Sequence, residues 1–131
     1  MRGFTLIELI VVITIIGILA AAVAFNAPGW IERAKKKRAE ADIVNLEKAA
    51  SAYGMDHNGN LPESLEQLAD PDQEDRLLTE IPTDPWGQPY EYRKEGSRPW
   101  IGSLGRKADD PSDDINSETI REARKAQAQG Q

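Results

Sequence analysis

The sequence predicts an α+β fold: a long N-terminal helix whose second half packs on a small antiparallel β-sheet. Three observations carry that prediction. Residues 4–25 form an apolar run with a single charge, Glu8. Beyond it, Ala39, Ile43, Leu46, Ala50 and Tyr53 recur at spacings of four and three, the stripe of an amphipathic helix. Last, turn residues at 83–87 and 95–97 bracket two short segments that read as strands, 88–92 and 99–104.

Each element follows in order. Residues 4–25 are apolar on all sides. At about 1.5 Å per residue they reach roughly 30 Å, the hydrocarbon thickness of a bilayer. Asn26, Pro28 and Gly29 predict a weak point, because proline removes a backbone donor and kinks or ends a helix. The helix is expected to resume over 30–53. Gly54 and the polar string 56–60 end it. Leu61-Pro62 opens a second short helix, with Leu65 and Leu68 on its apolar edge, and Asp70-Pro71-Asp72 stops it. Leu77, Leu78 and Ile81 offer a further apolar contact. Asp84 at i, Pro85 at i+1 and Gly87 at i+3 suit a type I turn. Alternation puts Tyr90 and Tyr92 on one face of the first strand. Trp100 is a core candidate in the second. An acidic loop, 109–114, follows. From Ser117 onward the chain is polar and is expected to fray.

Composition narrows the function. The chain of 131 residues carries 22 acidic and 16 basic side chains, a formal charge of −6. Acids dominate 63–80 and 109–114, which argues against general nucleic-acid binding. The basic cluster Arg33, Lys35, Lys36, Lys37 and Arg38 reads as a solvated helix face, or else as a contact with anionic lipid headgroups. There is no cysteine, so no disulfide can staple the small body left once the apolar run is set aside. A metal or an oligomeric contact remains as the staple. No nucleophile–base pair and no phosphate-cradling glycine loop stands in the chain. The single histidine, His57, falls in a polar turn and reads as a surface residue. An enzyme is therefore not expected.

Glu8 is the residue that needs explaining. A carboxylate in a membrane-length segment costs roughly 2.5–3.5 kcal/mol on insertion scales. A cut after Gly3 would create a free amine at Phe4, one helical turn from Glu8. In a stack of such helices, Glu8 of one copy could neutralise the amine of its neighbour. Two other readings exist: an ordinary anchor with a stray acid, and a secretory signal cut among the small residues 20–24. Glu8 and the length of the run count against the signal.

The string Arg2-Gly3-Phe4-Thr5-Leu6-Ile7-Glu8 closely resembles the processing site of prepilins and pseudopilins. That resemblance implies cleavage between Gly3 and Phe4 by a membrane prepilin peptidase, N-methylation of Phe4, and an assembly role for Glu8. The body resembles one branch, the major pseudopilin of type II secretion systems. Residues 53–62 look like that branch's helix exit, and Asp84-Pro85-Trp86-Gly87-Gln88-Pro89-Tyr90-Glu91-Tyr92 like its turn and first hairpin strand. Ser103-Leu104-Gly105 with Asp113-Asp114-Ile115 looks like its calcium loop.

The implied organisation is a leader at 1–3, a transmembrane helix at 4–29, a periplasmic body at 30–116 and a polar tail at 117–131. The implied function is structural: polymerisation into a pseudopilus, with further copies of the chain, minor pseudopilins and the inner-membrane secretion platform as partners. The implied location is the bacterial inner membrane, crossed once. Charge counting points the other way, since the basic run follows the span and would hold the body in the cytoplasm. The resemblance decides that conflict, because the run begins about ten residues beyond the span and can lie clear of the interface. Calcium is implied too, with the Leu104 carbonyl, Asp109, Asp110, Asp113 and Asp114 as candidate ligands. The family pattern places an aspartate three residues after that leucine, where this chain has Lys107. Either Asp109 or Asp110 takes over there, or the site is lost. The alternatives to a pseudopilin are a type IV pilin or minor pilin, and a monomeric membrane-tethered binding module.

Overall fold

The computed structural model describes residues 3–74 and 76–130, and of residues 25–27 the backbone alone. Arg2, the basic residue of the expected processing site, lies outside the described residues. In chain order the elements are helix α1 (Leu6–Asp56), strands β1 (Glu91–Glu95), β2 (Arg98–Ser103) and β3 (Ile115–Asn116), and helix α2 (Ser117–Gln129). Two 3-10 turns, Leu65–Ala69 and Pro111–Asp113, lie in the connections. The sheet is antiparallel in the order β1-β2-β3. The α+β expectation holds.

The chain divides into two compact units, Met1–Ala34 and Lys35–Gln131. In the first, Leu6–Ala24 is long and apolar enough to cross a membrane, and none of it is buried. The helical backbone runs on through Pro28, where a break was expected. Proline lacks the N–H that would bond the carbonyl four residues back, so one rung is lost while the flanking rungs remain.

The second unit holds the core: Ile43, Leu46, Ala50, Leu65, Leu68, Tyr90 and Ile101. The predicted seam on α1 is the buried one, and Ala39, Ile43 and Ala50 are fully excluded from solvent. Gly54 lies near the helix end, and Asn58 and Gly59 adopt positive φ just beyond it. The second short helix is a single 3-10 stretch, and it turns Leu65 and Leu68 into the core.

The first strand starts later than its sequence pattern suggested. Residues 88–89 are spent closing the Asp84 turn, where Thr83 bridges Pro89. Gly87 donates to the Asp84 carbonyl at 3.0 Å, as a type I turn requires. Tyr90 and Tyr92 do share a face: Tyr90 is in the core and Tyr92 packs against it. Their hydroxyls donate to Asp42 (2.9 Å) and to the Pro62 carbonyl (2.8 Å). The β1–β2 hairpin pairs Glu95 with Arg98 across Gly96-Ser97. Gly96 has φ +63°, the conformation that a glycine-first two-residue turn needs. Trp100 lies flat over Gly102, where a Cβ would sit 2.5 Å from the indole. The Arg93 guanidinium stacks on that indole at 3.6 Å.

The C-terminal segment does not fray at its start. It forms α2, opened by a capping box in which the Asn116 side chain accepts from Thr119 N–H and the Thr119 hydroxyl takes the Asn116 N–H. Ser117 is fully buried, Ile120 packs on the core, and Arg121 pairs with Glu47 at 3.4 Å. The polar composition hid one apolar residue and one ion pair, which suffice to dock the first turn.

Candidate assembly site

Gly3, Phe4 and Thr5 precede α1 without regular structure, and the Phe4 side chain is 92% exposed. The Gly3–Phe4 bond therefore lies in open backbone outside the helix. The fold itself makes no demand for glycine at position 3, since an added Cβ would meet nothing within 4 Å. A glycine that folding does not require is one that recognition can require.

Glu8 caps its own helix. Its Oε2 accepts from Thr5 N–H and from Thr5 Oγ1, both at 2.9 Å, and its N–H donates to Thr5 Oγ1 at 3.3 Å. This is a capping box, which satisfies otherwise orphan donors of the first turn. The signal for it, Thr5-x-x-Glu8, stands in the sequence. Within the chain, Thr5 is thus the partner of the Glu8 carboxylate. Around it, Phe4, Ile7, Val11 and Val12 form an exposed apolar patch.

The acidic loop is arranged differently from a calcium cage. Asp110 Oδ1 accepts from Ser112 Oγ (2.7 Å) and Ser112 N–H (3.0 Å), which holds the Asp110 carboxyl below its usual range. Asp113 Oδ1 pairs with Lys36 Nζ at 3.3 Å. Asp109 and Asp114 face solvent, and Leu104 is half-buried. Gly105, at φ +69°, presses on the Asp113 carbonyl so closely that a Cβ would lie 2.3 Å from that oxygen. Among the described residues no group of three or more histidines or acids is set to hold a metal ion. Calcium asks for six to eight convergent oxygens. As placed, the candidate aspartates form no such group.

Asp84, expected as the first residue of a turn, also organises the body. Asp84 is buried, and its carboxylate accepts from Gln88 N–H (2.7 Å), Trp86 N–H (3.1 Å) and Ser103 Oγ (2.7 Å). Ser103 Oγ in turn accepts from Gly105 N–H at 3.2 Å. The turn is thereby tied to the end of β2 and to the entry of the acidic loop. His57, by contrast, stacks on Tyr53 at 3.8 Å on the surface.

An exposed apolar helix headed by an open glycine–aromatic bond, continued into a small α+β body, is the arrangement expected of a membrane-anchored filament subunit of the pilin-like class. Residues 1–24 match the model of the prokaryotic N-terminal methylation motif, and residues 27–122 match that of type II secretion system protein G. The chain belongs to the type II secretion system protein G family, the major pseudopilins. It is similar to the type II secretion system core protein G of Escherichia coli K12, with 39% identity over 100 residues, 68% of this chain and 69% of the relative. The Vibrio cholerae counterpart is 37% identical over 106 residues, 73% of each chain. That of Klebsiella pneumoniae is 33% identical over 134 aligned residues, 91% of this chain and 95% of the relative. The family is one of structural subunits, processed and N-methylated, that polymerise into the pseudopilus.

Proposed function

We propose that this chain is cut between Gly3 and Phe4 by the prepilin peptidase at the cytoplasmic face, and that the new Phe4 terminus is methylated. The body then stands in the periplasm and Leu6–Ala24 spans the inner membrane. During assembly on the inner-membrane platform the subunit leaves the bilayer and joins copies of itself, with minor pseudopilins as further partners. Glu8 exchanges Thr5 for the Phe4 amine of a neighbouring copy. The chain's work is mechanical, and no step of it calls for catalysis by its own side chains.

The observation that carries this reading is the pairing of an open Gly3–Phe4 bond with an unburied apolar helix bearing one carboxylate. Before cleavage the Phe4 nitrogen is an amide and carries no charge. The cut that frees the subunit also creates the cation that Glu8 needs. Mass analysis of the N-terminal peptide from assembled material tests this. A methylated Phe4 terminus is the expected result. Residues 1–3 still attached in working filaments would overturn it.

A further inference from the structure

We propose that Lys36 is the built-in counter-ion of the acidic loop, so that the body closes this loop with its own ammonium group and without a metal. The pair joins residues 77 positions apart, from α1 to the Pro111–Asp113 turn. Its carboxylate end is sheltered, with the Asp113 side chain 21% exposed. A partly sheltered pair is less screened than one on open surface.

Further contacts within the loop point the same way. The Asp110 carboxylate is engaged by Ser112, where it caps the short turn. Asp113 N–H donates to the Asp110 carbonyl (3.1 Å) and Asp114 N–H to the Pro111 carbonyl (3.3 Å), so the loop's own backbone holds its shape. The Asp113 carbonyl is shielded on one side by Gly105. Asp109 and Asp114 are exposed, and among the described residues no three acids are grouped to hold a metal ion. Lys107 stands where the family resemblance places an acid, and Lys36 sets a second positive charge against the loop from α1. The physical task is the same in either arrangement: crowded aspartates need a cation before the loop can lie against the body. Here the cation is covalently part of the chain and does not depend on calcium outside the cell membrane. The inference leans on the pseudopilin reading only for the contrast with a calcium loop. Its tests read the body whether or not the subunit assembles.

Arg106 and Lys107 are exposed within the loop, so trypsin reports its opening. The full chain in detergent micelles is digested, and cleavage after 106 and 107 is followed by mass spectrometry in calcium chloride and in EGTA. Wild type is expected to be cut at equal rates in both, with an unchanged Tm. Lys36→Met is expected to be cut roughly fivefold faster at these sites, the scale of opening that a part-sheltered ion pair controls. The exchanged pair Lys36→Glu with Asp113→Lys is expected to return the rate to near wild type, which a packing role for the lysine stem would not do. Asp113→Asn serves as the second single variant if Lys36→Met does not fold. Protection of the wild-type loop by calcium, a calcium-dependent rise in Tm, or failure of the exchanged pair to restore protection would overturn the proposal.

Discussion

The two units of this chain use apolar residues in opposite ways. In the body, apolar side chains recur at helical spacing, and Ile43 and Ile101 reach zero exposure. In the head, apolar residues occupy every side of the helix, and Leu6, Ile7, Ile13 and Leu19 all remain more than half exposed. A stripe can be satisfied by one partner surface inside the chain. A helix that is apolar all round cannot, and it calls for a bilayer or a bundle of other copies. Its backbone bonds are already closed internally, which suits it to lipid. The difference teaches where this protein's assembly information lies. The body buries a core of its own, while the head leaves its apolar surface for a bilayer or for other copies.

The largest expected effect breaks the head's side of this comparison. Glu8→Ala should abolish incorporation into filaments while leaving the helix inserted in the membrane. Losing a capping box costs about 1 kcal/mol, too little to undo a helix of 51 residues. Crosslinking in membranes reads the outcome: a ladder of multimers for wild type, monomer for the variant. A normal ladder from Glu8→Ala would remove the electrostatic role given to this carboxylate.

The next effect separates the units. Ile43→Ala should lower the body's unfolding free energy by about 2–5 kcal/mol, the range for emptying a filled core site. That is a large part of the roughly 5–15 kcal/mol available to a domain. Ile13→Ala, on the exposed head, should leave body unfolding unchanged when both are followed by denaturant melts in micelles. Equal losses from the two variants would mean that head and body do not have separate cores.

Much of this architecture is legible in the sequence, and the reason is periodicity. The Ala39–Ile43–Leu46–Ala50 stripe and the Asp84-Pro85-Trp86-Gly87 turn depend on residues close in sequence, so local rules find them. What the sequence hides depends on distance along the chain. Asp84 reads as an ordinary turn residue until β2 brings Ser103 onto its carboxylate. Lys36 reads as one of several solvated cations until the acidic loop returns to α1. The start of α2 reads as polar tail until Ser117 and Ile120 are seen against the sheet and core. At the head the capping box has a local signal, Thr5-x-x-Glu8, four residues long.

The smallest effect sharpens the comparison through pH. Tyr90 titrates well above its ordinary value, first because it is buried and then because its hydroxyl donates to Asp42. A phenol whose folded value is raised keeps its proton after the unfolded chain has lost it. Its contribution to stability is therefore complete below about pH 10, the unfolded value, and is lost as pH rises past it. Tyr90→Phe should cost about 1 kcal/mol at neutral pH, from the lost hydrogen bond. It should also flatten the alkaline fall, so that wild type and variant converge as pH climbs beyond 10. Lysine deprotonation acts on both proteins alike and cancels in the difference. The head contains no tyrosine, so membrane retention of the full chain should be the same for the two proteins across this range. Parallel melting curves at every pH would show that Tyr90 is not held in its neutral form by the core.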